Sequence, residues 1–189
     1  MQLWVGLGNP GALHAMQRHN IGFMAVDALA EVHDFAPPRK QFRGWTQEGR
    51  VGAQKLMLLK PATYMNESGR SVAEALRFYK LELDALTVFH DELDIAPFRA
   101  KVKVGGGAAG HNGLRSIDQH LGPEYRRVRL GIGHPGHKDR VNGHVLGNFD
   151  KAEIDPLSDL LGAVAAEAGW LANGDDPRFM SEVARRLAD

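Results

Sequence analysis

Leu3-Trp4-Val5-Gly6-Leu7-Gly8-Asn9-Pro10-Gly11 is an apolar run that stops in a turn, and the reading of that turn decides the fold. Leu3–Leu7 has the length and composition of a buried strand. Gly8-Asn9-Pro10-Gly11 carries the residue types of a tight turn. The same letters also satisfy G-x-G-x-x-G, the pattern of a loop that wraps a dinucleotide pyrophosphate. That reading needs a helix to begin on the loop, so that free amides face the phosphates. Here the first helical pattern is delayed to about Asn20, and Pro10 removes one of the amides. The acid that would hold a ribose must end a second strand ~20 residues on, whereas Asp27 and Glu31 lie within a helical pattern. The glycines form a turn, and a nicotinamide cofactor is rejected.

Outward from this strand, helix and strand patterns interleave. Ile21–Val32 places Ile21, Ala25, Ala28, Leu29 and Val32 on one helical face. Gln41–Lys60 reads as a hairpin, and Ser68–Tyr79 as a helix with Val72, Leu76 and Tyr79 inward. Ala85–His90 is a short buried strand predicted to stop at the acidic run Asp91-Glu92-Leu93-Asp94. Phe98–Val104 is a strand that alternates Arg99, Lys101 and Lys103 onto one face. Gly105–Gly110 follows as a loop, Asn112–Leu121 as a helix, and Arg126–Ile132 as a half-buried strand. The remainder is helical, with Asp176 predicted as the N-cap of the last helix and Pro177 in its first turn. This order predicts an α/β fold: one domain over residues 1–189, with a mixed twisted β-sheet flanked by helices.

Composition narrows the function classes. A chain of 189 residues can bury roughly 70% of its unfolded surface in a single core. The absence of cysteine excludes disulfides, zinc–thiolate sites and a cysteine nucleophile. No apolar stretch approaches the ~20 residues of a membrane span or forms a secretory leader, so a cytoplasmic protein is expected. The net charge of zero conceals a division. Residues 99–140 hold nine Lys or Arg against three Asp or Glu, while Asp150–Asp189 holds nine acids against four bases. The basic segment either faces a polyanion or simply solvates a strand and its loops.

Among candidate sites, no serine sits in G-x-S-x-G, which sets a serine hydrolase aside. The nine histidines include His90 beside Asp91 and the pair His134 and His137, yet no H-E-x-x-H occurs, so no metal is expected. More distinctive is a set of polar residues at strand ends and helix starts: Asn9, His19, Asn66, Asp91, His111 and Asn112. Such points converge at the edge of an α/β sheet, where ligands bind. A neutral histidine, with an ordinary pKa of ~6.5, can take a proton from water, and a nearby carboxylate fixes its tautomer. Carboxamides can hold a peptide backbone or polarise a carbonyl, and one aimed at an oxyanion contributes about 3 kcal/mol. Singly, each residue also fits a turn or cap, and spacing alone does not bring them together.

Taken in order, seven segments resemble the bacterial peptidyl-tRNA hydrolase family. They are Val5–Gly11, Arg18–Gly22, Lys60–Gly69, His90–Asp94, Lys103–Gly107, Gly110–Leu114 and Arg129–Pro135. The resemblance implies a cofactor-free, monomeric enzyme that hydrolyses the ester between a peptide and the 3′ ribose of tRNA. It implies His19 as base, Asp91 as its support, and Asn9 as the residue that distinguishes blocked from free aminoacyl groups. Tyr64, Met65, Asn66, His111 and Asn112 are then expected at the tRNA 3′ end and peptide backbone. Arg99, Lys101, Lys103, Arg115 and Arg129 are expected at acceptor-stem phosphates. Two positions depart from the family's pattern: His14 stands where tyrosine is frequent, at a place expected near tRNA, and Ala108-Ala109 replaces a more polar, glycine-rich pair. The rival class is a non-catalytic RNA-binding module on the same basic strand, which would retain tRNA without cleaving it.

Overall fold

Leu3 and Val5 point to one side of the first strand and Trp4 to the other, and each side joins a separate apolar cluster. The computed structural model describes residues 1–188; Asp189, the end of the predicted 1–189 unit, lies outside them. Seven strands form one sheet. They are β1 (Gln2–Gly6), β2 (Arg39–Gln41), β3 (Gly44–Val51), β4 (Gln54–Pro61), β5 (Leu86–Glu92), β6 (Ala100–Val104) and β7 (Arg126–Gly131). Their spatial order is β2-β3-β4-β1-β5-β7-β6. The inner strands β4, β1, β5 and β7 run parallel, and β2, β3 and β6 pair antiparallel at the two edges. The mixed α/β class is as the sequence predicts.

Helices cover both faces, so the inner strands are apolar on both sides. On the Trp4 face, α1 (Ile21–Val32) packs Ile21, Ala25, Val26 and Leu29 against Leu56, Leu58 and Phe89. The C-terminal helices α5 (Ile154–Ala166), α6 (Ala168–Ala172) and α7 (Asp176–Ala188) extend that layer with Leu160, Leu171 and Phe179. On the opposite face, α2 (Ser68–Tyr79) and α3 (Asn112–Leu121) press Val72, Leu76, Leu114 and Ile117 onto Leu3, Val5, Met57 and Val88. Each such fully buried aliphatic side chain stabilises the fold by about 1.5–3 kcal/mol. A short helix, α4 (Val141–Leu146), lies beyond β7.

The glycines of the opening turn serve close packing. A Cβ on Gly6 would lie 2.2 Å from the Gly22 carbonyl oxygen, and one on Gly22 would lie 2.3 Å from that of Phe89. The start of α1 thus sits directly on the ends of β1 and β5, as only glycine permits.

Several predicted boundaries move. Strand β5 does not stop at His90 but continues through Asp91 and Glu92, because both pair with β7 at Leu130 and Gly131. Strand β6 starts at Ala100, leaving Arg99 before it, and β7 ends at Gly131 rather than Ile132. Asp176 is not the cap of α7 but its first residue, and it binds Arg126 at 3.0 Å. Asp175 caps instead: its Oδ1 accepts the Arg178 amide at 3.1 Å, and its carbonyl accepts that of Phe179.

Candidate active site

Strands β1 and β5 are parallel neighbours whose outgoing chains leave to opposite sides of the sheet. Beyond β1 the chain turns toward β4, and beyond β5 toward β7 and β6. A crevice therefore opens at their carboxyl ends, the usual ligand position in an open α/β sheet. It is a cavity of ≈ 720 Å³ lined by Asn9, His19, Met65, Asp91, His111 and Asn112, and further by Lys103, Arg127, Arg129 and α4.

Asp91, at the end of β5 and 4% exposed, is the centre of this group. His19 reaches it from the short 3-10 turn Arg18–Asn20 ahead of α1, with Nδ1 2.8 Å from Asp91 Oδ2. His111, the N-cap of α3, reaches the other oxygen, with Nε2 2.8 Å from Oδ1. The partners settle which nitrogen carries each proton. His111 Nδ1 accepts the amides of Gly113 and Leu114 at 3.1 and 3.3 Å, so its proton is on Nε2 and is donated to Asp91. A carboxylate only accepts, so His19 donates through Nδ1 and keeps its Nε2 lone pair. Among the described residues, no hydrogen bond occupies that nitrogen.

Electrostatics follow from this geometry. Burial by itself pushes the Asp91 carboxyl up, but the two donating imidazoles outweigh it and hold the group well below the usual carboxylate range. For His19, burial disfavours the charged ring, yet the charge and hydrogen bond of Asp91 prevail and raise its pKa above 6.5. His90 behaves oppositely. Fully buried, and facing the His111 ring edge-on at 5.3 Å, it is lowered to about 3 by burial and by the neighbouring His111. It stays neutral, donating Nδ1–H to the Asp91 carbonyl at 2.8 Å.

Asn9 is set by a residue to which the sequence assigned no role. Asn20 Oδ1 accepts the Asn9 amide at 2.8 Å, and Asn20 Nδ2 donates to the Asn9 carbonyl at 2.9 Å. Asn20 is 2% exposed and adjoins His19, so one turn positions both the base and the Asn9 loop. The side-chain amide of Asn9 makes no hydrogen bond among the described residues and lines the cavity. Arg127 was also missed as a structural group, because it stands in an alternating strand like a solvated cation. It is 1% exposed and donates to the carbonyls of Gly107, Gly106 and Pro123 at 2.9, 3.0 and 3.2 Å.

The cavity thus unites Asn9, His19, Met65, Asp91, His111, Asn112, Lys103 and Arg129. His14, Tyr64, Asn66 and Lys101 do not line it, nor do Arg99 and Arg115. Tyr64 and Asn66 flank Met65 in the Met65–Glu67 turn and are exposed; Lys101 pairs with Arg129 in the sheet register. The histidines weighed for metal binding are not clustered: His134 is exposed and His90 is turned to a carbonyl. Among the described residues, the set of three such side chains whose ligand atoms lie within 4.8 Å of one another is His19, Asp91 and His111, and two of these already share protons with the third.

Comparison with known proteins identifies the family and the fold. A family model described as peptidyl-tRNA hydrolase matches residues 3–188. A peptidyl-tRNA hydrolase of Rhizorhabdus wittichii is 70% identical over 189 residues, covering 100% of both chains. That of Novosphingobium aromaticivorans is 70% identical over 186 residues, covering 98% of this chain and 97% of its own. The crystal structure of peptidyl-tRNA hydrolase from Acinetobacter baumannii superposes with a TM-score of 0.91 at 40% identity, covering 97% of this chain and 94% of that one.

Proposed function

This chain belongs to the peptidyl-tRNA hydrolase family, and we propose that His19 drives its reaction as general base on water, with Asp91 as anchor. The protein is a hydrolase of peptidyl-tRNA. The observation that carries the mechanistic reading is the buried 2.8 Å contact between His19 Nδ1 and Asp91 Oδ2, which leaves Nε2 as the basic nitrogen beside the cavity. Nε2 takes a proton from water as the water oxygen bonds to the ester carbonyl carbon. The carbonyl becomes an oxyanion, for which the amides of Asn9 and Asn112 are the available donors. Collapse breaks the bond to the ribose 3′ oxygen, which leaves with the proton held on His19. The products are a free peptide acid and tRNA with its 3′ hydroxyl restored, both ready for reuse.

Within the same reading, Asn9 checks for an amide at the amino end of the acyl group, as only blocked groups carry one. Met65, Asn66, Tyr64, His14 and Asn112 meet the 3′ end and peptide backbone, while Lys101, Lys103 and Arg129 meet acceptor-stem phosphates. His111 gains a further role, holding the second oxygen of Asp91 so that the first faces His19. The enzyme works in the cytoplasm as a monomer without metal. No helix among the described residues is long and apolar enough to cross a membrane.

His19→Ala tests the base directly. Turnover of labelled peptidyl-tRNA is expected to fall by about 10²–10⁴-fold, with tRNA affinity retained. A variant that keeps its turnover removes His19 from the mechanism, and wild-type protein that binds tRNA without cleaving the ester is an RNA-binding module instead. Full rates in strong chelator are expected, and loss of activity there assigns the His19–Asp91–His111 cluster to a metal.

A further inference from the structure

Arg18 adjoins His19 in the Arg18–Asn20 turn but does not line the cavity. Its guanidinium reaches the helix that does. Nη1 donates to the His144 carbonyl of α4 at 3.3 Å, and Nη2 donates to Glu153 Oε1 at 2.9 Å. Resting on the ester hydrolysis described above, we propose that Arg18 is a positioning residue for the reaction: it ties the α4 wall of the cavity to the turn of the base, with Glu153 as the fixed counter-ion.

A helix as short as α4 needs such a tie. Its six residues make fewer than two turns, too few for intrahelical bonds to hold a helix by themselves. Val141 and Asn142 line the cavity from its first turn, and a Cβ on Gly143 would meet nothing within 4 Å, so the other side of that end is unsupported. The anchors gather at the C-terminal end. Val145 packs against the core cluster, and His144 Nε2 lies 3.0 Å from the Ile132 carbonyl oxygen. Arg18 adds a charged donor at the His144 carbonyl, on the end of a helix where a cation is favoured. The residues that follow are zipped to the chain entering the base's turn. The Arg18 amide donates to the Gly147 carbonyl at 3.0 Å, the Phe149 amide to that of Met16 at 3.0 Å, and Gln17 and Asn148 form an antiparallel bridge.

Glu153 keeps the guanidinium in place. Its Oε1 also accepts the Asp150 amide at 2.8 Å, in the capping box that opens the Lys151–Glu153 turn, and α5 follows at once with Leu157 and Leu160 buried. The acid thus belongs to the frame and does not line the large cavity. The Arg18 side chain is 12% exposed, so solvent screens this ion pair little. One cation thereby holds in register the α4 wall and the backbone under His19, whose ring Asp91 holds through Nδ1. A misplacement of ~1 Å at a reacting centre costs up to ~10²-fold in rate.

The test compares two ion pairs of similar burial. Arg126 and Asp176, 13% and 23% exposed, match Arg18 and Glu153 at 12% and 24%, but neither lines the cavity. Hydrolysis of an N-acetylaminoacyl-tRNA is measured at a temperature where every variant is folded. Arg18→Met should lower kcat and raise KM, so that kcat/KM falls about tenfold or more. Glu153→Ala should do the same, and the double variant should lose no more than the worse single one, because both remove one contact. Arg126→Met should lower the melting temperature and leave kcat/KM within about twofold of wild type. The salt dependence of KM should stay that of the wild type throughout, since a paired Arg18 meets no phosphate. Wild-type kinetics in Arg18→Met, an equal loss in Arg126→Met, a multiplied loss in the double variant, or a change confined to KM or to kcat overturns the proposal. A shallower salt slope overturns it too and makes Arg18 a phosphate contact. If Arg18→Met does not fold, Glu153→Ala against Arg126→Met decides in the same way. Wild-type protein that leaves the ester intact refutes the hydrolysis reading itself.

Discussion

At the scale of single residues, the pH profile is the sharpest consequence of Asp91. With its pKa raised above 6.5, His19 is more often protonated near neutrality than an ordinary histidine, and only the neutral ring is a base. The kcat/KM profile should therefore rise with pH through an inflection above 6.5. Asp91→Asn withdraws the charge that lifts the pKa and leaves burial, which lowers it, so the inflection should move to lower pH while the plateau falls about 10²-fold or more. A lower plateau with an unmoved inflection would dissociate Asp91 from the base. His90 gives a stability test of opposite sense. Its folded pKa of about 3 lies below the unfolded 6.5, so its contribution is intact above 6.5 and is lost as pH falls toward 3. Denaturant titrations should show stability declining across that window, by at most about 1.4 kcal/mol per pH unit from this group. His90→Gln should flatten the decline, and an unchanged slope would mean that another group governs it. His19 and Asp91 were legible as candidates from their residue types and motifs, but their meeting was not. They are separated by 72 positions, and only the sheet order brings the β1 loop to the end of β5.

At the scale of elements, periodicity located α1, α2 and α3 to the residue, because each has one apolar face against the sheet and a polar one outside. What periodicity lacked was hydrogen bonding. The extra length of β5 comes from direct pairing with its neighbour β7, whereas in the sequence the acids Asp91 and Glu92 look like the start of a loop. The cap of α7 was misplaced by one residue because Asp175 and Asp176 are both acids, and only geometry separates a cap from an ion pair. The loop Gly105–Gly110 is the element most dependent on an unread partner. Its Gly106 and Gly107 carbonyls rest on Arg127, whose guanidinium also stacks 4.5 Å above the Tyr125 ring and lies 3.3 Å from Asp118. Ala109 holds a left-handed φ of 49, a strain of about 1–2 kcal/mol that the loop tolerates while so anchored. Arg127→Met keeps the bulk and removes every donor. Hydrogen exchange in Gly105–Gly110 should quicken, and unfolding stability should fall by about 1–3 kcal/mol as the carbonyls lose their partner. Because the loop borders the cavity at Gly107–Gly110, KM should rise more than kcat falls. Unchanged exchange in the loop would show that it is held elsewhere.

At the scale of the whole molecule, a net charge of zero separates into two territories. The acids of the C-terminal helices are largely engaged: Asp176 with Arg126, Glu167 with Arg186, and Glu182 with Arg178 and Arg185. These helices cover the sheet face that carries Trp4, whereas Lys103 and Arg129 line the cavity and have no carboxylate partner among the described residues. Lys103, Arg129 and Lys138 thus stand on the cavity wall as cations without ion-pair partners among the described residues, with Glu92 and Asp94 as the acids beside them. A polyanion would be drawn there although the protein as a whole is neutral. Every phosphate that a lysine or arginine neutralises releases counterions, and for duplex contacts it steepens the fall of log affinity with log salt by about 0.9. Lys103→Gln with Arg129→Gln should therefore raise KM for peptidyl-tRNA and reduce that slope by about 1.8. Both residues lie outside the His19–Asp91 contact, so kcat should be largely retained. At sufficiently high salt the variant and the wild type should converge, because the interaction that distinguishes them has been screened. A double variant with a higher KM and an unaltered salt slope would place the phosphates elsewhere on the surface, and Lys101, Arg99 and Arg115 would be the next cations to replace.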